Sequence, residues 1–287
     1  MSAPASGRQT LAAALARARV LGVDRLDAEL LAAQVGGVDR AAVIARPERT
    51  LPPTAAARLD DLVCERARGV PLAYLLGERA FRGLVLTVTP EVLVPRADTE
   101  TLVERALEAP VPEQARVLDL GTGSGAVALA LAAARPSWTI TATDRSTAAL
   151  AVARGNGERL GFTNVRWREG DWFAAVEDER FDLIVSNPPY VATDDPELAA
   201  AVAAFEPAAA LFAGPDGLDA IRRITAHAPA RLRPGGTLAL EHGYRQGAAV
   251  RALLAAAGLE AVDTRADLAG RPRVTSGRAP ARGSGRG

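Results

Sequence analysis

Val117-Leu118-Asp119-Leu120-Gly121-Thr122-Gly123-Ser124-Gly125 runs straight into the Ala/Leu-rich stretch Ala126 to Ala134. The first four residues read as a buried strand, the glycines as a turn and the remainder as a helix. Strand, glycine turn and helix in that order open a nucleotide-binding α/β unit. Glycine has no Cβ, so the backbone there can approach a ligand closely. The helix N-terminus presents free N–H groups and a partial positive charge, which favour a carboxylate or phosphate. The next strand, Thr139 to Thr143, ends at Asp144. A carboxylate about 20 residues beyond the glycines suits a ribose diol. Asp119, at the end of its own strand, either bonds the loop amides or meets the ligand.

Outward from this unit, residues 98–278 alternate strand and helix. The strands read are 116–120, 138–143, 165–168, 181–186, 236–241, 259–263 and 272–277. The helices between them are 98–108, 125–134, 146–160, 195–204, 217–231 and 244–257. Such alternation indicates a doubly wound α/β sheet. Ligands of these sheets sit beyond the carboxyl ends of the strands, near the switch in strand order. Gly121, Asp144 and Asn187 all fall at such ends. Residues 8–77 instead carry apolar positions at helical spacing, through Leu11, Leu15 and Ala18, then Leu26, Leu30 and Leu31, then Leu59, Leu62 and Val63. The expected organisation is a helical bundle domain over 1–80, a β-hairpin linker over 81–97 and an α/β domain over 98–278. A Gly/Arg/Ser-rich tail over 279–287 is expected to be disordered. The hairpin is expected to pair 84–88 with 92–94.

Asn187-Pro188-Pro189-Tyr190 follows the apolar strand Phe181 to Ser186. Each proline fixes its own φ, lacks an N–H and forces the preceding residue into an extended conformation. The chain should leave the strand as a stiff, open hook. The Asn187 side-chain carbonyl and the Pro188 main-chain carbonyl then offer two acceptors to a ligand –NH2 group, with Tyr190 beside them. Taken alone, the tetrapeptide is equally a turn. Gly121, Gly123 and Ala126 satisfy the dinucleotide pattern G-x-G-x-x-G/A, so the glycine run alone leaves NAD and S-adenosylmethionine both open. The two histidines, His227 and His242, are far along the chain and offer no convincing hydride-transfer acid.

The 287 residues carry 34 basic and 34 acidic groups, a net charge of zero. That balance disfavours a duplex DNA or RNA binder, which usually has a basic excess. Every basic residue is Arg. The single cysteine, Cys64, excludes an internal disulfide framework and fits a reducing cytoplasm; it is expected in a helix core. No run of 18 apolar residues and no signal-peptide pattern appears, so neither a membrane span nor a membrane partner is expected. No metal site is expected.

In order along the chain, several segments resemble the peptide-chain release factor glutamine N5-methyltransferases. They are Pro71-Leu72-Ala73-Tyr74 with Gly77 and Phe81, Val94 to Glu100, Asp119 to Gly125 and Asp171-Trp172-Phe173. Asn187 to Tyr190, Phe205-Glu206-Pro207, Glu241-His242-Gly243, and Asp267 with Gly270 to Val274 follow. The resemblance implies a class I methyltransferase (Rossmann-like) seven-stranded sheet with a helical substrate-recognition domain. It implies an S-adenosylmethionine-dependent cytoplasmic enzyme that methylates the Gln of the Gly-Gly-Gln loop of class I release factors. Gly121, Thr122, Gly123, Ser124, Gly125, Asp144, Trp172 and Asn187 fall on the family's cofactor positions. Asn187, Pro188, Pro189 and Tyr190 fall on its substrate positions, with Asn187, Pro188 and Tyr190 expected to be catalytic. Trp172 could stack on adenine or simply pack beside Phe173, and Tyr190 could stack on the glutamine amide or make a structural hydrogen bond. Asp98 is expected to cap or lead the first helix of the α/β domain, Arg96 to pair with Glu100, Glu206 with Pro207 to order a lid, and His242 to touch substrate or hold a turn. The rivals are an adenine-N6 nucleic-acid methyltransferase, which uses the same hook, a non-catalytic sensor of S-adenosylmethionine, and an NAD dehydrogenase.

Overall fold

The computed structural model describes residues 9–195 and 200–281. They divide into two compact units. The described residues of 1–77 group with Ala200–Phe205. The other unit comprises the described residues of 78–199 and 206–287. The expected disorder of 279–287 falls largely outside the described residues, as does part of the helix expected over 195–204.

The first unit is helical: α1 (Leu11–Val20), α2 (Arg25–Gly36), α3 (Arg40–Ala45), α4 (Pro53–Ala67) and α5 (Leu72–Leu76). Side-chain caps start three of them, with Thr10, Asp24 and Asp39 each accepting a backbone N–H of the first turn. Leu11, Leu31, Val43, Leu59 and Val63 form its core. Buried Glu29 is held by Arg25 and Arg40, each at 2.7 Å. Cys64 lies on α4 as expected but is only half buried.

The second unit opens with a hairpin of β1 (Glu78–Phe81) and β2 (Leu84–Thr87). This corrects the expected pairing of 84–88 with 92–94. Arg82 and Gly83 both have positive φ, 45° and 78°. Two such residues form the tight turn whose twist matches a two-residue hairpin. Pro90 and Pro95 interrupt the alternative partner, and the Val94 N–H goes instead to the Glu206 carboxylate at 3.2 Å.

After α6 (Glu100–Leu107) come β3 (Arg116–Leu120), α7 (Ala126–Ala134), β4 (Thr139–Asp144), α8 (Thr147–Leu160), β5 (Val165–Glu169) and β6 (Phe181–Ser186). The short helices α9 (Ala200–Phe205) and α10 (Ala208–Leu211) precede α11 (Asp219–Arg231), β7 (Leu232–Glu241), α12 (Gly247–Ala256), β8 (Glu260–Ala266) and β9 (Pro272–Arg278). The seven strands of the sheet follow the order β5-β4-β3-β6-β7-β9-β8. The first five are parallel, and β9 runs antiparallel to β7 and β8. The central strands are buried on both faces, which is why their sequences read as unbroken apolar runs. Val117, Leu183, Val185 and Ala239 face one core with α6 and α7. Leu118, Leu120, Ile184, Leu238 and Leu240 face the other with α11 and α12. Strand order reverses between β3 and β6, so the glycine turn and the Asn-Pro-Pro-Tyr hook leave adjacent strands at the same end. Among the described residues no helix is long and apolar enough to cross a membrane.

Asn156 on α8 ties the hairpin to the glycine turn. Its amide nitrogen donates to Thr87 O (2.9 Å) and Ser124 O (3.0 Å), and its oxygen accepts from Thr87 N (2.7 Å). It is fully buried. Asn156→Ala strands several of these groups, so it should lower the stability of this unit by about 2–4 kcal/mol in urea denaturation. A loss below about 0.5 kcal/mol would show that water replaces the clasp.

Candidate active site

One cavity of about 440 Å³ lies at the carboxyl ends of β3, β4 and β6. Gly121, Thr122, Gly123, Ser124, Asp144, Trp172, Asn187 and Pro189 line it, all residues expected from the sequence. Gly125, Pro188 and Tyr190 were expected there too and are not among its lining residues.

The glycine turn is built by three positive-φ glycines, Gly121 (70°), Gly123 (55°) and Gly125 (84°). Around Gly123 a Cβ would meet nothing within 4 Å. Gly125 is required for a different reason than expected. A Cβ there would come 3.1–3.3 Å from Leu129, Trp167 and Ala153. Its smallness lets α7 and α8 pack, and it does not face the cavity.

Asp119 is 1% exposed, bonds the turn and is also among the residues lining the cavity. Its carboxylate accepts from the Thr122 hydroxyl at 2.6 Å, with the Ala128 amide in the first turn of α7 nearby. It therefore braces the turn and occupies the positive helix end from within. Burial pushes its carboxyl up to about 7, against the lowering effect of these hydrogen bonds. Asp144 is held from two sides, by Gly123 N (3.0 Å) and Ser146 N (2.9 Å), with its carboxylate at the cavity wall.

Of its two expected roles, Trp172 fulfils the packing one. It packs beside buried Phe173 against the core and also lines the cavity. Its φ is +56°, a conformation that costs a non-glycine residue about 1–3 kcal/mol and collects at ligand sites.

The hook is extended and locked. Gln246 donates to Tyr190 O (3.1 Å), Val191 N donates to Leu211 O (2.9 Å), and Ala213 N donates to Val191 O (2.9 Å). At Gly217 a Cβ would stand 2.3 Å from Tyr190 O, so only glycine fits beneath the hook. Side chains alternate sides along an extended chain. Asn187 and Pro189 accordingly face the cavity, whereas Pro188 is buried and the Tyr190 hydroxyl donates to Glu241 Oε1 at 3.3 Å. Burial, and then the neighbouring Glu241 carboxylate, hold the Tyr190 phenol well above its ordinary range. Tyr190 is thus a buttress behind the hook, not a wall of the cavity. The Asn187 amide nitrogen donates to Thr99 Oγ1 at 3.1 Å, which leaves its carbonyl oxygen as the free end.

Several smaller expectations change. Arg96 pairs with Glu206, not Glu100, and Glu206 is 1% exposed. Asp98 leads the first helix as an acid in the 3-10 turn Ala97–Thr99, one of its two expected places, and also pairs with Arg273 at 3.0 Å. His242 is fully buried, with one ring nitrogen on Gly243 O (2.9 Å) and the other on Thr275 Oγ1 (2.8 Å), so it holds the turn. Thr99, which bonds Asn187 and lines the cavity, and Glu241, at the end of the adjacent strand, had no assigned part. The visible signal was a lone carboxylate immediately after the apolar strand end Leu238 to Leu240.

Two family models match the chain, "PrmC N-terminal domain" over residues 8–77 and "Methyltransferase small domain" over 97–217. The release factor glutamine methyltransferase of Xylella fastidiosa (strain 9a5c) is 51% identical over 90% of this chain and 94% of its own length. The chain belongs to the release factor glutamine methyltransferases. The family protein from Pseudomonas aeruginosa is likewise 51% identical, over 88% of this chain and 92% of its own length. A solved methyltransferase from Pyrococcus furiosus shares the fold at 21% identity, TM-score 0.52, covering 69% of this chain and 90% of that one.

The buried acid gives a pH prediction. A carboxyl raised in the folded state stabilises the fold below its unfolded value and loses that contribution as pH rises through the folded one. For Asp119 this window runs from about 4 to about 7. Comparing thermal unfolding of wild type and Asp119→Asn across that range, the difference should move in the variant's favour with rising pH, by up to about 4 kcal/mol. A pH-independent difference would mean that Asp119 is ionised throughout.

Proposed function

We propose that this methyltransferase transfers a methyl group from S-adenosylmethionine to the side-chain amide nitrogen of the Gln in the Gly-Gly-Gln loop of class I release factors. The observation that carries this is the Asn187 carboxamide, held at the cavity wall with its nitrogen committed to Thr99 and its oxygen free. Membership of the family supplies the substrate class. The neutral net charge argues against nucleic acid as a stable partner. The helical unit, which matches the family's N-terminal domain, is assigned to substrate recognition, and the reaction to the cytoplasm.

The cavity residues fit the methyl donor. Asp144 presents a fixed carboxylate suited to a ribose diol, Trp172 offers an aromatic face, and Gly121 and Gly123 allow close approach of the backbone. A dinucleotide fits worse. Its pyrophosphate would need the amides of α7, where the Asp119 carboxylate already sits. When bound, S-adenosylmethionine supplies an electrophilic methyl group on a sulfonium sulfur.

The chain's own residues supply orientation. An amide nitrogen is a weak nucleophile because its lone pair is delocalised into the carbonyl. The Asn187 oxygen accepts one N–H of the glutamine, and Pro189 offers an apolar wall for its flat face. Pro188, whose carbonyl was the acceptor expected for the second N–H, is not among the residues lining the cavity, so Asn187 is the acceptor on which the reading rests. Accepting from the proton raises electron density on the nitrogen as positive charge develops, and fixes its aim. Alignment of this kind lowers barriers by several kcal/mol, up to about 7–11 in ideal cases. The nitrogen sheds its proton after bond formation, so no strong base is required.

Mass spectrometry of a release factor incubated with the protein and S-adenosylmethionine should find one added methyl on the Gly-Gly-Gln glutamine. Methyl appearing in nucleic acid instead would overturn the assignment. Asn187→Ala should cut the transfer rate by about 100-fold or more; survival within a few-fold sinks the clamp. Asp144→Ala should weaken calorimetric binding of S-adenosylmethionine by about 10-fold, and unchanged binding would remove Asp144 from the donor site.

A further inference from the structure

The proposed reaction assigns no part to Glu241, yet this carboxylate stands immediately behind the hook. In the parallel pairing of β6 with β7, Ser186 lies opposite Leu240. Asn187 and Glu241 are therefore the next residues on adjacent strands, at the carboxyl ends. Glu241 is 0% exposed. The Tyr190 hydroxyl donates to its Oε1 and the Thr99 side chain lies beside its carboxyl group, while its Oε2 is buried with no hydrogen-bond partner. A buried carboxylate so incompletely satisfied costs stability. Stability alone therefore gives no reason for it.

Chemistry suggests one. The two ends of an Asn carboxamide have nearly the same shape but opposite hydrogen-bonding sense. Only the oxygen end can accept from a substrate –NH2; the nitrogen end would confront it donor to donor. Thr99 alone cannot decide which end faces the cavity, because a hydroxyl both donates and accepts. Burial pushes the Glu241 carboxyl up to about 7, and above that pH the ionised carboxylate only accepts. Beside Glu241, the Thr99 proton is drawn to the carboxylate, and the Thr99 oxygen is left to accept from Asn187. The 3.1 Å bond from Asn187 Nδ2 to Thr99 Oγ1 has that sense.

We propose that Glu241 is a positioning residue, which through the Thr99 hydroxyl fixes the Asn187 carboxamide with its oxygen toward the cavity. Its consequence for methyl transfer rests on the reaction proposed above. Tyr190 adds a second tie from the same carboxyl to the far end of the hook. The charged and titratable groups facing Glu241 are Asp98 ahead of α6, Tyr190 on the hook and Arg273 on β9. Arg273 is itself shared with Asp98 (3.0 Å) and Asp267 (3.2 Å).

The test uses the full-length protein and two readouts. The first is the Asn187 side-chain NH2 signal of 15N-labelled protein, assigned by its loss in Asn187→Asp. Wild type should show slow exchange of one of its protons with solvent. Thr99→Val and Glu241→Met should abolish that protection, while Thr99→Ser keeps it. The second is turnover on a release factor. Thr99→Val and Glu241→Met should each lower kcat by about 10-fold or more, with S-adenosylmethionine affinity and KM for the release factor little changed. Glu241→Gln keeps an acceptor and should retain more activity than Glu241→Met. The Thr99→Val/Glu241→Met double variant should be no slower than the worse single one, as for two parts of one relay. Folded variants that keep the protected Asn187 proton would overturn the proposal, as would losses that multiply in the double variant. If wild type itself methylates no release factor, the proposed reaction fails, and the exchange measurement still decides the relay. Should Glu241→Met fail to fold, Thr99→Val, which leaves the carboxylate in place, carries the same two readouts.

Discussion

Two successive prolines at the end of a central strand constrain the rest of the site. Pro188 and Pro189 cannot continue the ladder and cannot turn into a helix, so the chain leaves β6 extended. An extended chain sorts its side chains by parity. Asn187 and Pro189 fall on the cavity side, and Pro188 and Tyr190 fall behind it. The surrounding structure then locks the hook through Gln246, Leu211 and the close passage of Gly217. A soft loop carrying the same residues would present the carboxamide only part of the time. Here its position is a property of the sheet.

Three carboxylates stand at or next to the strand ends that frame this hook, and their surroundings give them different work. Asp119 is buried beneath the glycine turn and braces it from inside. Asp144 is half buried, pinned by two amides and open to the cavity. Glu241 is fully buried and reaches the cavity only through other side chains. Burial pushes both Asp119 and Glu241 up to about 7. Keeping such groups costs stability, and both lie at or within one or two residues' reach of the cavity wall. Strain at Trp172 belongs to the same pattern, since its unfavourable φ sets an aromatic ring at the cavity wall.

Much of this was legible in the sequence. The central strands were readable because strands buried on both faces must be apolar throughout, as in Leu183-Ile184-Val185. The glycine turn, Asp144 and Asn187 were readable because conformation and chemistry leave few alternatives at those positions. The hairpin was misread because 84–88 and 92–94 are equally strand-like. Only the two-residue turn at Arg82-Gly83 distinguishes the true partner. Gly125 was assigned to the ligand by resemblance but faces the helix packing, and Tyr190, left open between stacking and a structural hydrogen bond, makes the hydrogen bond.

The sequence by itself determined the α/β alternation, the place of the ligand turn and the hook with its acceptor amide. These depend on local conformational rules and on apolar periodicity, which act over a few residues. Only the tertiary structure decided that Arg96 meets Glu206, that Asp98 meets Arg273, that Thr99 bonds Asn187 and that Glu241 stands at the end of the adjacent strand. Those partners lie from tens of residues to well over a hundred apart in the chain. Charge and hydrogen bonding say only that each polar group must find a mate; strand order and register choose which one.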